Sequence, residues 1–285
     1  NDPLLICLTT WGFALCARCL TADEVRPRWF IVAGILAGLA CITKSSGLII
    51  LIGLFGTGFF VRKKLPLNAL AGGLGLAVLL VLPVWMRNQA LYGDPLAQKA
   101  FKEAFVGSAQ KEGIIAAIQA SGAPGSPEIQ YWINWVGYWT SRSYFGVFGY
   151  MDIWLNESGR ANSQAPNLLY KGVIALMTLG GFGFIAKWRK EKITQVFALA
   201  LGVVILTKLV FVGFNMTYFQ AQGRYLLPSL AATAILLTTG WAYLVKDRVT
   251  VVIAIICLLF GGSTVYALTQ LPEEFKIRTG SSLSP

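Results

Sequence analysis

The sequence contains no histidine. That absence removes the commonest general base, the commonest metal ligand and every Ser-His or Cys-His nucleophile pair. Acid–base chemistry then falls to Asp, Glu, Lys or Tyr. Charge is scarce too: 13% of the 285 residues are charged, against about 25% in an ordinary soluble protein. Acids are the scarcer sign, with 13 Asp and Glu against 24 Lys and Arg. Cysteines are few, namely Cys7, Cys16, Cys19, Cys41 and Cys257. All lie within or at the ends of apolar runs. Cys16 and Cys19 have CxxC spacing, but no second pair or histidine completes a metal site, and packing as small side chains accounts for them.

What the chain has is apolar surface. Hydrophobic residues make up 55% of it and the mean hydropathy is +0.62. A soluble core cannot absorb that much; a bilayer can. A membrane helix needs about 20 apolar residues, and the runs at 3–20, 29–43, 46–61, 67–86, 167–186, 194–213, 225–244 and 249–268 qualify or nearly so. The expected fold is all-α: a polytopic transmembrane bundle of about eight helices. The second and third runs are short; they count as two helices, with one hairpin broken around Lys44, Ser45 and Ser46 as the alternative. The chain opens at Asn1 directly into an apolar run without a methionine, which reads as a piece of a longer protein lacking its N-terminal helices.

The net charge of +11 would suggest a nucleic-acid partner in a soluble protein. Here the cations sit in short loops between apolar runs, so no nucleic-acid partner is expected. One dense set holds Arg18, Arg26 and Arg28; Arg62, Lys63 and Lys64; Lys187, Arg189, Lys190 and Lys192; and Lys246 with Arg248. By the positive-inside rule this set is cytoplasmic. Asn1, Lys44, the segment after Arg87, Arg224 and the C-terminal tail then face outward.

Residues 1–285 read as a single membrane domain, with residues 87–166 as a long outer-face loop inside it. The first part of that loop, KAFKEAF…KEGIIAAIQA, has helical spacing and suits an interface. A Gly/Pro/Ser hinge follows, then the aromatic stretch YWINWVGYWTSRSYFGVFGYMDIW. Its Trp and Tyr side chains, Tyr150 and Trp154 included, could pack on a sugar or lipid tail, or form an ordinary interfacial belt. Asn156-Glu157-Ser158 and Asn215-Met216-Thr217 are glycosylation sequons on the outer side, relevant only in a eukaryotic secretory membrane.

Four outward sites gather polar residues at helix ends: Asp2, Lys44, the stretch Arg87 to Pro95, and the stretch Gln222 to Pro228. Such a set suits a sugar carried on a polyprenyl phosphate. That donor has a good leaving group, so it needs cations for the growing phosphate charge and a carboxylate for the acceptor's proton. Lys44, Arg87 and Arg224 are the candidate phosphate ligands, Arg because its planar fork matches phosphate oxygens. Asp2 and Asp94 are the candidate carboxylates, with Gln222 and Tyr225 beside Arg224 as further substrate contacts.

Each has a second reading. Arg87 and Arg224 can snorkel to headgroups, and Lys44 can anchor the interface. Gly93-Asp94-Pro95 is a strong turn signal, and Asp2 can serve a helix start. Lys208, inside the sixth run, is a functional candidate by its depth or a snorkelling side chain. One acid at Asp2 is too little to specify a metal; no cofactor is expected, with a divalent metal left open.

The motifs NDPLL, AGILAGLACITKSSGLIIL, PVWMRNQALYGDPLA, SYFGVFGYMDIW and QGRYLLPSL, in this order, resemble successive landmarks of the GT-C superfamily. They are most similar to its phospholipid-carrier-dependent glycosyltransferases of the dolichyl-phosphate-mannose mannosyltransferase (family 39-like) group and related bacterial membrane proteins. The resemblance implies an inverting transferase in a bacterial inner membrane, active face outward. Its donor would be a polyprenyl- or dolichyl-phosphate sugar, and its acceptor an envelope glycan, lipid or protein. It implies that Asp2 matches the acid of the second outer loop, that Arg224 lies near the carrier phosphate, and that Lys44 and Arg87 line the same cavity. The family's principal catalytic acid sits in the first outer loop, which precedes Asn1, so the resemblance implies a fragment inactive on its own. Two rival expectations remain: a transporter or flippase for an anionic lipid or amphiphile, with Lys208 as an intramembrane relay, and a non-catalytic membrane scaffold.

Overall fold

The computed structural model describes residues 2–145, 147–148, 153–154, 168–190, 194–262, 264–265 and 268. Among the described residues the regular structure is helical apart from a two-residue antiparallel pairing, β1 (Val147–Phe148) with β2 (Ile153–Trp154), and one isolated bridge between Gln110 and Tyr218. Its helices are α1 (Asp2–Thr21), α2 (Pro27–Thr43), α3 (Leu48–Val61), α4 (Leu67–Tyr92), α5 (Gln98–Ala104), α6 (Lys111–Ala120), α7 (Pro127–Gln130), α8 (Tyr138–Phe145), α9 (Leu168–Lys190), α10 (Gln195–Asn215), α11 (Leu230–Leu244) and α12 (Val249–Ile256). A 3-10 turn at Ser45–Gly47 precedes α3, and a longer 3-10 segment at Gly223–Ser229 leads into α11. Tyr131–Gly137 and Cys257–Gly261 are π-helical.

Among the described residues, four helices are long and apolar enough to cross a membrane: Asp2–Thr21, Leu67–Tyr92, Gln195–Asn215 and the continuous Gly223–Leu244. Pro27–Thr43 and Ser45–Val61 are apolar but shorter. Their outer flanks are apolar as well: Trp11, Phe59, Leu79, Leu209 and Val210 are all more than half exposed. Helices that are hydrophobic on their packed and unpacked faces alike suit a lipid surround.

The chain groups into two compact units. The first comprises Asn1–Tyr131, Ile193–Gln220 and Arg224–Ile235; the second comprises Trp132–Lys192, Ala221–Gly223 and Leu236–Pro285.

In the first unit α1 packs on α2, α3 and α10, and α2 packs on α4. The buried residues of α1, Leu5, Thr9, Phe13, Cys16 and Leu20, recur at intervals of three and four and so line one face. Cys16 and Cys19 are free and fully buried. Between α2 and α4 the seam is made of small residues, Gly34, Ala37 and Gly38 against Gly73 and Ala77. A Cβ at Gly34 would overlap the Gly73 carbonyl. With little hydrophobic drive between helices in lipid, such backbone approach supplies the packing. Phe30, wholly buried, fills the slot that Gly58 and Gly73 leave open.

In the second unit α9 and α11 meet in the same way. Gly180 and Gly183 face Gly240, and the Trp241 indole donates to the Leu176 carbonyl at 2.8 Å.

Within each unit two basic stretches come together at one end. The Lys64 ammonium donates to the Ala22 carbonyl at 3.0 Å, joining the two basic loops of the first unit at one end. Lys190 lies 5.7 Å from the Tyr243 ring, which brings the two basic stretches of the second unit together likewise.

Among its described residues the expected outer loop is mostly short helices. The single amphipathic stretch foreseen over its first part divides into α5 and α6, and α6 buries Ile114 and Ile118. After α10, the backbone runs alongside the α5–α6 junction: Phe219 N–H donates to Ala109 O at 2.8 Å and Lys111 N–H to Thr217 O at 3.2 Å. Tyr131, fully buried, donates its hydroxyl to the Asn215 carbonyl at 2.6 Å. Burial, with Glu112 and Glu128 nearby, pushes the Tyr131 phenol up to about 12, from about 10 in an unfolded chain.

The folded state therefore favours the protonated phenol. This stabilisation is complete below about pH 10 and is lost as pH rises through about 12. Thermal unfolding followed against pH should show that loss. Tyr131→Phe should flatten it and cost about 1 kcal/mol at neutral pH through the missing hydrogen bond.

Candidate functional site

Asp2 opens α1 and Lys44 closes α2, so two antiparallel helices deliver them to the same end of the first unit. Each charge also opposes the partial charge of its own helix terminus. The Lys44 ammonium donates to Asp2 Oδ1 at 2.7 Å, with both side chains about one-quarter exposed. Lys44 is held by the turn that follows it. Its backbone is extended, its N–H caps Ala40 O, and Gly47 N–H returns to Lys44 O at 2.8 Å. Gly47 folds so closely onto the end of α2 that a Cβ would overlap the Ala40 carbonyl. The KSSG sequence thus breaks the helix and aims the lysine.

The Gly223–Ser229 segment brings Tyr225 to this pair. Lys44 Nζ lies 5.2 Å from the centre of the Tyr225 ring, and the Arg224 guanidinium carbon lies 5.4 Å from the same ring. Arg224 is exposed and Tyr225 half-buried. Lys44 thus links Asp2 to Tyr225, and Arg224, the neighbour of Tyr225 in sequence, joins this cluster through the same ring.

Its flank is aromatic: Phe214 lies 6.2 Å from Tyr225 and continues to Phe101, Phe105 and Tyr218 at ring separations of 5.3, 5.9 and 5.6 Å. Asn215 fixes this wall. Its side chain donates to Phe211 O and accepts from Gln220 N–H, both at 3.0 Å, and the residue is completely buried. The Asn215 sequon is therefore shielded as a glycan acceptor.

Arg87, Asp94 and Lys208, also in the first unit, lie elsewhere. Arg87 was expected at a helix end, but α4 continues to Tyr92 and stops at Gly93, whose φ of 65° gives the left-handed cap. Arg87 is an exposed residue within the helix and makes no hydrogen bond or ion pair among the described residues. Asp94 is a turn residue. Its carboxylate accepts from Leu96 N–H at 3.0 Å, Gln98 N–H at 2.6 Å and Lys99 N–H at 3.2 Å. The Leu96 amide first, then the Lys99 and Gln98 amides and the Lys99 charge, hold it below the usual carboxylate value. The order this carboxylate imposes is present above the ordinary Asp range and is lost as pH falls through its lowered value. Asp94→Ala should speed amide exchange over 94–99 and leave the Asp2–Lys44 ion pair in place.

Gln222 belongs to the second unit. Lys208 is exposed on the flank of α10, away from the buried Val203, Thr207 and Phe211 stripe. Asn156, Tyr150, Lys192 and the C-terminal tail beyond residue 268 lie outside the described residues.

The second unit holds a residue that sequence reasoning passed over. Arg142 is 6% exposed, and its guanidinium carbon lies 3.4 Å from the Tyr138 ring centre. Its signal was available: it is the only cation in the aromatic stretch. Beside it the Ser143 hydroxyl accepts from Gly223 N–H at 2.7 Å, and a Cβ at Gly223 would overlap the Tyr144 backbone. The π-helical turn borders an open depression lined by Ile133, Asn134, Gly137, Tyr138, Ser141 and Ile174.

Among the described residues no three His, Cys, Asp or Glu side chains come together as a metal-ligating group. No family model, no curated protein and no solved structure matches this chain.

Proposed function

We propose that this protein is a membrane glycosyltransferase of the inverting, phospholipid-carrier-dependent kind. It transfers a sugar from a polyprenyl phosphate to a cell-envelope acceptor on the outer face of a bacterial inner membrane. The observation that carries the reading is the cluster of Asp2, Lys44, Arg224 and Tyr225 at one end of a helical unit whose long helices have membrane length. In this reading the shorter helices and α9 and α12 complete a bundle of about eight spans. The basic ends face the cytoplasm, and the cluster faces outward.

The chemistry follows from charge. An acceptor oxygen attacks the anomeric carbon from the side opposite the phosphate, and the carbon–phosphate-oxygen bond breaks with its electrons. The sugar phosphodiester carries one negative charge; the departing polyprenyl phosphate gains a second. Cations that meet the phosphate therefore stabilise the transition state more than the bound donor. Lys44 and Arg224 supply them. The incoming phosphate competes with Asp2 for the Lys44 ammonium, and the freed carboxylate accepts the acceptor's proton. The aromatic wall through Phe214 offers apolar surface to the prenyl chain.

Lys208 argues against the transporter reading, because its exposed position on α10 suits a snorkelling lysine rather than an inward relay. Arg224→Ala tests the phosphate role. Transfer by the variant of the full-length protein in proteoliposomes should fall by about 100-fold or more with expression and folding intact. Normal turnover would remove Arg224 from the site.

A further inference from the structure

The opposite end of the first unit carries a second built feature. Two loops meet there: the α1–α2 loop, with the helix ends that flank it, brings Arg18, Arg26 and Arg28, and the α3–α4 loop brings Arg62, Lys63 and Lys64. Two acids, Asp23 and Glu24, stand against these six cations. The loops are fixed. Val25 and Leu65 are buried beneath them, and the Lys64 ammonium ties one loop to the other through the Ala22 carbonyl. The guanidinium carbons of Arg18 and Arg26 lie 4.4 and 5.5 Å from the Trp29 ring, and Arg62 lies 4.2 Å from Phe59.

Topology alone asks only that cations be present on one side. It does not ask that two loops be bonded together or that their guanidinium groups rest on aromatic rings. From that arrangement we infer that this end of the unit is a binding surface for anionic phospholipid, with the phosphate headgroup between the two basic loops and an acyl chain along α3.

The apolar side decides between a lipid and a free anion. Phe59, Phe60 and Leu67, at 60, 45 and 80% exposure, stand directly beside the cations. A free phosphate would use the charges and leave these side chains bare; a phospholipid uses both. Position agrees, since α1 and α4, both of membrane length, end and begin at these loops. That places the loops at headgroup level, where each Lys or Arg adds to attraction for anionic lipid. The surface is independent of the Asp2–Lys44 cluster and of the transferase reading.

The test uses the full chain in neutral detergent, titrated with phosphatidylglycerol or phosphatidylcholine in mixed micelles. Retained lipid is read by native mass spectrometry and unfolding by heat. Phosphatidylglycerol should be retained and should raise the unfolding midpoint, and phosphatidylcholine should do neither. Arg18→Gln with Arg62→Gln should weaken phosphatidylglycerol binding by on the order of tenfold, while Lys99→Gln, on the α5 segment, should leave it unchanged. Arg62→Gln alone, which disturbs only the contact with Phe59, carries the test if the paired variant misfolds. Equal binding of the two lipids, undiminished binding by the Arg variants, or complete displacement by millimolar inorganic phosphate would overturn the assignment.

Discussion

Lys44→Ala should lower sugar transfer by on the order of 10²- to 10³-fold, the loss seen when one donor to a developing anion is removed. The effect should fall on turnover at saturating donor. The ammonium is engaged with Asp2 in the resting protein, so its attraction for phosphate is realised most as the second charge develops. Lys44→Arg should recover part of the rate, because the charge returns while the geometry set by the KSSG turn does not match a longer, planar head.

Asp2→Asn separates two roles. As the proton acceptor, Asp2 carries a further factor of about 10² to 10⁴. As a helix-end partner of Lys44 alone, its loss would lower the unfolding midpoint and spare the rate. The ion pair itself contributes about 1 kcal/mol, being partly exposed. Stability and rate measured on the same two variants therefore distinguish a catalytic pair from a structural one.

The largest loss of stability is expected at the α2–α4 seam. Gly34→Leu has no room, because even a Cβ would occupy the position of the Gly73 carbonyl. The helices must separate, Phe30 loses its slot, and a cost of about 3 kcal/mol or more follows. Gly75→Ala is the matched control on α4, since a Cβ there meets nothing within 4 Å. It should be neutral or stabilise by up to about 1 kcal/mol through helix propensity. Heat denaturation in detergent reads both. Equal stability of the two variants would mean that the seam is looser than described.

The cluster was legible in the sequence for a simple reason. Alternating helices place the start of α1, the end of α2 and the start of the 223–229 segment at one end, so Asp2, Lys44, Arg224 and Tyr225 follow from counting spans. Arg87 was misplaced because hydropathy marks where apolar character ends, not where the helix ends. The sequence Arg87-Asn88-Gln89-Ala90-Leu91-Tyr92 continues α4 until Gly93 supplies the left-handed stop.

Asp94 carried a turn signal and a carboxylate at once, and the three backbone amides it accepts are those of the turn. Arg142 and Asn215 were missed as buried polar residues because burial depends on helix partners distant in sequence. The expected outer loop folds into α5–α8 for the same reason: Tyr131 reaches Asn215 across 84 residues of chain. Eight apolar runs could be read, but four described helices have the length and hydropathy of a span. The α3 run stays shorter than these even with the turn that precedes it, as Ser45–Val61.

The most direct measurement is transfer itself. The full-length protein is reconstituted with a polyprenyl phosphate bearing a radiolabelled sugar, together with an envelope extract as acceptor. The account predicts that label moves to the acceptor with inverted anomeric configuration and that free polyprenyl phosphate appears in equal amount. Both should fall together in Lys44→Ala and Arg224→Ala. Label that stays on the carrier, or crosses the bilayer still attached to it, would contradict the account.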